Sequence, residues 1–168
     1  MLKTSLICLS LLVIPQLANA ASTAYLKIGD IKGESQRVDH EDEIDIISWS
    51  WGAESNRKAA CIEDIKLVKY VDRSSPLLLL GQANQARYPT AVLSVRKDSG
   101  EAHLDYLVIT MTNVQISRFD ASGTAGDGIP TEAVSLTFDN LEYQYTVQAD
   151  DHSAGEVVSA TVSSGRCN

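Results

Sequence analysis

The chain has 168 residues, of which 44% are hydrophobic and 21% charged. That is the size of one domain and the composition of a globular one, which excludes a disordered chain. A net charge of −8 argues against nucleic acid and against anionic lipid surfaces as partners, since both call for a Lys/Arg-rich face.

Met1–Ala20 holds Lys3, an apolar run from Leu6 to Ile14, and Ala18-Asn19-Ala20 before Ala21. A basic start, a short apolar centre and a small-x-small end predict a secretory signal cut between Ala20 and Ala21. The run is shorter than the ~20 apolar residues that span a bilayer, so no membrane anchor is expected after cleavage. The expected organisation is a signal over 1–20 and one domain over 21–168, exported to the periplasm or beyond the cell. Losing Lys3 and Cys8 leaves 13 basic residues against 22 acidic, and two cysteines, Cys61 and Cys167. An even pair in an exported chain predicts a Cys61–Cys167 disulfide, with two separate thiols as the alternative.

The remaining chain alternates with period 2, the mark of half-buried strands. Ile47, Trp49 and Trp51 share a face in Ile44–Trp51; Ile65, Leu67 and Val71 share one in the next segment. One helix is expected over Ser75–Ala86, with Ser75 as its cap and Pro76 at its first position. Leu93 and Val95 follow in phase, and Lys97–Glu101 reads as a hairpin turn. The longest strand is His103–Phe119, with Leu104, Tyr106, Val108, Val114 and Ile116 in one phase and Leu107, Ile109 and Met111 in the other. Ser122–Pro130 is a glycine-rich loop. Val134, Leu136 and Phe138 alternate, then Leu141, Tyr143, Tyr145 and Val147 do so one residue out of phase, which demands a bulge or a change of face. A last strand is expected over Val157–Ser163. Many strands and one helix predict a β-barrel or a β-sandwich.

Chemistry-bearing patterns are weak. His40, His103 and His152 lie in no zinc spacing. The acidic run Asp39–Glu43 lacks the glycine turn of a calcium loop. There is no Gly-x-Ser-x-Gly elbow, and Gly123–Gly128 is not followed by the Lys-Ser/Thr of a phosphate loop. Trp49 and Trp51 sit on an apolar strand face, which favours core packing over sugar stacking. The residues predict an exported, non-enzymatic β-domain with no cofactor and no metal.

A resemblance adds to this. Tyr25–Ser35 and Glu43–Gly52, then Lys69-Tyr70-Val71-Asp72 before Ser75-Pro76-Leu77, are similar to the haemolysin-coregulated protein (Hcp) family, the tube protein of type VI secretion. Tyr88-Pro89, Leu93–Lys97, Asp105–Thr110 and Glu132–Phe138 follow in the family's order. The resemblance implies a small two-sheet β-barrel with one flanking α-helix. It implies homo-hexameric rings that stack into a tube, and partners among effector proteins and other type VI components. It also implies that Gly33–Glu43 is the extended loop that meets neighbouring subunits and the next ring, through Gly33, Glu34, Ser35, Arg37, Asp39, His40 and Glu41. The signal-like start and the cysteine pair depart from the family pattern. They keep open a second function, a periplasmic or secreted binding module on the same barrel with no tube role.

Overall fold

The computed structural model describes residues 22–55, 60–99, 102–126, 128–149 and 153–163. The signal-like segment, including Ala18, Ala20 and Ala21, and Cys167 lie outside the described residues.

The order of elements begins β1 (Ser22–Ile28), β2 (Ile44–Ile46), β3 (Ser48–Ser50), β4 (Ala53–Ser55), β5 (Ala60–Ile62) and β6 (Ile65–Tyr70). It continues α1 (Ser75–Ala83), β7 (Arg87–Ser99), β8 (Ala102–Ser122), β9 (Thr131–Thr137), β10 (Asn140–Gln148) and β11 (Ala154–Ser163). The antiparallel path runs β2-β1-β7-β8-β9-β6-β3. β8 is the hinge of the fold. Its first half pairs with β7 on one edge and β10 on the other, and its second half pairs with β9. β11 pairs only with β10, and β4 with β5 forms a separate ribbon.

The two ends of the path, β2 and β3, are consecutive in sequence. Ile47 alone separates them, and its N–H donates to the Val68 carbonyl at 2.8 Å. The sheet therefore curls into a barrel-like sandwich that is not closed by a strand ladder; its seam is a corner of the chain, with β2 lying against β6. This corner corrects the expectation for Ile47. Ile44 and Ile46 are buried, Ile47 is 48% exposed, and the apolar face resumes at Trp49 and Trp51, which pack on the core. A chain that leaves one partner strand for another must rotate its faces, so period-2 reading fails at such a corner.

β8 repeats the effect. Leu107, Ile109 and Met111 are buried, then Val114 and Ile116. Asn113 between them takes φ 52°, a left-handed conformation that Asn tolerates, and it shifts the phase by one residue. Both phases of this strand supply core, as the double apolar pattern allowed. The change of phase after Phe138 is likewise real. β9 ends at Thr137 against β6 and β8, and β10 starts at Asn140 against the other half of β8. The core joins Leu26, Ile28, Ile44, Ile65, Leu93, Ile109, Met111, Leu136 and Leu141 across the barrel. Each fully buried side chain of this kind is worth roughly 1.5–3 kcal/mol relative to exposure.

The helix is shorter than expected, ending at Ala83, and Ser74 rather than Ser75 occupies its cap position. Ser75 has another task. Its Oγ accepts hydrogen bonds from Lys69 Nζ at 3.0 Å and from Asp72 N–H at 3.0 Å, and donates to Glu132 Oε2 at 2.8 Å. Lys69, 1% exposed, also pairs with Glu132 at 2.9 Å and Asp72 at 2.8 Å. This buried cluster fastens the start of α1 to β6 and β9. Lys69 occupies the inward position after Leu67, so the in-phase position beyond it, Val71, lies outside the strand and is 40% exposed.

Candidate interaction site

The connection from β1 to β2 is the most elaborated loop of the molecule. Gly33 opens it for a steric reason. A Cβ there would stand 2.2 Å from the Glu43 carbonyl oxygen, so the two limbs of the loop touch backbone to backbone. Gly33 N–H donates to Asp42 O at 2.7 Å, Ser35 N–H to Glu43 O at 3.0 Å, and Asp42 N–H to Ser35 O at 3.0 Å. Asp39 and Asp42 both adopt positive φ, 69° and 63°, at which Asp carries a smaller penalty than other non-glycine residues. The acidic run is thus partly a backbone requirement.

His40 locks the loop to the barrel. It is 4% exposed, and its ring stacks on Tyr25 of β1 at 4.1 Å with planes 11° apart. Nδ1 lies 2.8 Å from Glu43 Oε2, and Nε2 lies 3.2 Å from Asp105 Oδ1 on β8. Arg96 of β7, also 4% exposed, completes the set. Its Nε donates to Asp105 Oδ1 at 2.7 Å and its guanidinium to the Val38 carbonyl at 2.7 Å, with Asp39 at 3.8 Å. Burial pushes the Asp105 carboxyl up, but the hydrogen bonds from Arg96 and His40 outweigh it and hold the group below the usual carboxylate range. On the outer limb, Lys32 bonds Asp42 at 2.7 Å and Arg73 bonds it at 2.9 Å, and the Lys32 hydrogen bond leads in lowering that carboxyl. Arg73 N–H also donates to Glu34 Oε1 at 3.2 Å.

The anticipated loop residues therefore divide. Gly33, Ser35 and His40 are buried and build the loop, while Glu34 ties it toward α1. Arg37, Val38, Asp39 and Glu41 are exposed at its tip, Val38 by 62%. Tyr25, Glu43, Arg96 and Asp105 belong to the same site and were not singled out from sequence as its members. Arg96 and Asp105 are register partners across β7 and β8, next to a bulge at Val95/Arg96 that turns Val95 and Arg96 inward together. The sequence signal was an arginine beside an apolar run and an aspartate at the head of another.

The fold and this loop define a class: a small β-barrel protein that presents a pre-ordered, charged loop. The sequence profile described as "Type VI secretion system effector, Hcp" matches residues 25–145. The chain belongs to the Hcp family of type VI secretion proteins. It is 34% identical over 137 residues to protein Hcp1 of Pseudomonas aeruginosa, across 76% of this chain and 85% of that protein. The crystal structure of Hcp1 from Salmonella typhimurium superposes with a TM-score of 0.75 at 29% identity, covering 85% of this chain and 95% of the other. A type VI secretion effector structure from Yersinia pestis gives 0.73 at 28%, covering 83% and 98%.

Proposed function

We propose that this chain is a non-enzymatic ring-forming subunit of the type VI secretion tube class. Six copies close a homo-hexameric ring whose channel carries effector proteins. A closed ring needs two different patches of one subunit to meet on neighbours. The observation that carries the reading is the loop at 33–43. Its base is fixed by His40, Arg96 and Asp105, while its tip spends no side chain on the barrel at Glu41 or Val38. A loop held rigid with an exposed charged tip loses little entropy on docking, and its charges select register against a neighbouring subunit or ring.

Charge reversal tests this. Glu34→Lys also disturbs the contact to Arg73, so Glu41→Lys is the cleaner probe. Native mass spectrometry and thermal unfolding are run side by side. The expected result is loss of rings or stacked rings with an unchanged unfolding midpoint. A hexamer and tube indifferent to Glu41→Lys would remove the loop from assembly.

A second reading is favoured by the signal-like start and by the pair Cys61 and Cys167: an exported binding module in an oxidising compartment. Protein recovered from the periplasm as a disulfide-bonded monomer starting at Ala21 would establish it over the ring.

A further inference from the structure

Of the two histidines among the described residues, His103 is exposed and His40 is buried. Both nitrogens of the His40 ring face carboxylates. Nδ1 lies 2.8 Å from Glu43 Oε2, and Nε2 lies 3.1 and 3.2 Å from the two oxygens of Asp105. An ionised carboxylate only accepts hydrogen bonds, so each of these contacts calls for an N–H on the ring. An imidazolium has two and meets both. A neutral imidazole has one, and in either tautomer its other nitrogen aims a lone pair at an anionic oxygen. The two protonation states of this ring therefore act in opposite directions on one loop.

The groups around the ring sharpen the contrast. Glu43, whose side chain is 16% exposed, reaches it from the end of the loop, and Asp105 reaches it from β8. Arg96 of β7 donates to Asp105 from the far side, and Asp39 of the tip lies 3.8 Å from Arg96 in a 75% exposed position. Arg37, also at the tip, is exposed. Tyr25 of β1 covers one face of the ring at 4.1 Å, with its hydroxyl donating to Thr23. With an imidazolium, Glu43 and Asp105 stand between two cations. With a neutral ring, Arg96 alone balances both in a setting of low dielectric. The aromatic face of Tyr25 adds cation–π attraction for the charged form only.

We propose that His40 is a proton-operated latch on the loop at 33–43. The protonated ring draws Glu43 and Asp105 together and clamps the loop to β8; loss of the proton opens one of the two contacts and loosens the loop. On the reading of this loop as an assembly contact, acidification within the range where histidine titrates favours docking. The latch rests on that reading for this consequence alone.

Two measurements on the assembled protein test it, between about pH 5 and 9. Imidazole nitrogen shifts in histidine-labelled protein follow the ring, with His40→Gln identifying its signals. Amide hydrogen exchange, expressed as protection factors, follows the loop donors Gly33, Ser35 and Asp42. The expected result is a several-fold fall in loop protection with the same midpoint as the His40 titration, while Leu93 and Ile109 in the paired β7 and β8 are unchanged. Glu43→Gln is the second variant. Its amide accepts from an N–H or donates to a bare nitrogen, so the loop stays protected on both sides of the titration. A His40 ring that does not titrate in this range, loop protection that ignores its titration, or a step undiminished by Glu43→Gln overturns the latch. A loop that follows His40 in a protein whose rings ignore Glu41→Lys keeps the latch and removes the assembly reading.

Discussion

At the scale of single residues, Arg96 and Asp105 decide the loop. Arg96→Met removes the guanidinium donor from the half-buried Asp105 carboxylate and frees the Val38 carbonyl. Breaking a buried pair by removing one partner typically costs ~3–5 kcal/mol, and the 28% exposure of Asp105 places this case at or below the lower end. Urea denaturation measures it, and limited proteolysis within 36–41 reports the loosened loop. The same carboxylate sets an acid limb. Its folded pKa is depressed, so its contribution is fully present above the unfolded value, about 3.9. It is lost as pH falls from there through the lower folded value. Asp105→Asn is expected to flatten stability against pH below about pH 4 while lowering it at neutral pH. Of this site, His40 and the loop residues were legible because charge and glycine cluster within one segment. Tyr25, Arg96 and Asp105 come from three strands, and no local pattern tells that they meet.

At the scale of elements, α1 is held by polar as much as apolar contacts. Leu78 is buried, but Leu77, Leu79 and Leu80 are about half exposed. The Lys69–Glu132–Ser75 cluster supplies the anchor. Lys69→Met strands Glu132 in a buried site, and the expected cost is ~3–5 kcal/mol by chemical denaturation. The double variant Lys69→Met/Glu132→Leu recovers part of that loss, because Glu132 no longer stands as a buried unpaired charge, while Asp72 still lacks its lysine partner. A double variant as unstable as the single would assign the cost to packing alone. Ser-Pro before a leucine run marks the helix in the sequence. A serine before proline is the usual cap signal, which points to Ser75 rather than to Ser74. A lysine on a strand, sixty-three residues from its glutamate partner, claimed that hydroxyl instead.

At the scale of the molecule, β11 presents apolar residues on both sides of a two-stranded extension. Val157, Val158 and Val162 are 54%, 55% and 43% exposed, and Tyr145 and Val147 of β10 lie 44% and 40% exposed. A ring requires a second patch complementary to the first, and on the ring reading this extension is covered by a neighbour. Val158→Lys is then expected to lower the hexamer fraction in native mass spectrometry and to leave the monomer's thermal midpoint within a degree or two. An unchanged hexamer would take β11 out of the subunit contact.

The strand content, the helix and its site, and the loop at 33–43 are all present in the sequence. Period-2 alternation, proline position and glycine spacing are local quantities, and the order of the family's motifs is a property of the chain alone. The tertiary structure decided the seam at Ile47, the change of phase at Asn113, the burial of Lys69 and Arg96, and the clamp of Tyr25, Glu43 and Asp105 on His40. Each of these depends on which strand lies beside which. A strand's inward face is defined only relative to its neighbours, and a buried charge is stable only where a distant partner meets it.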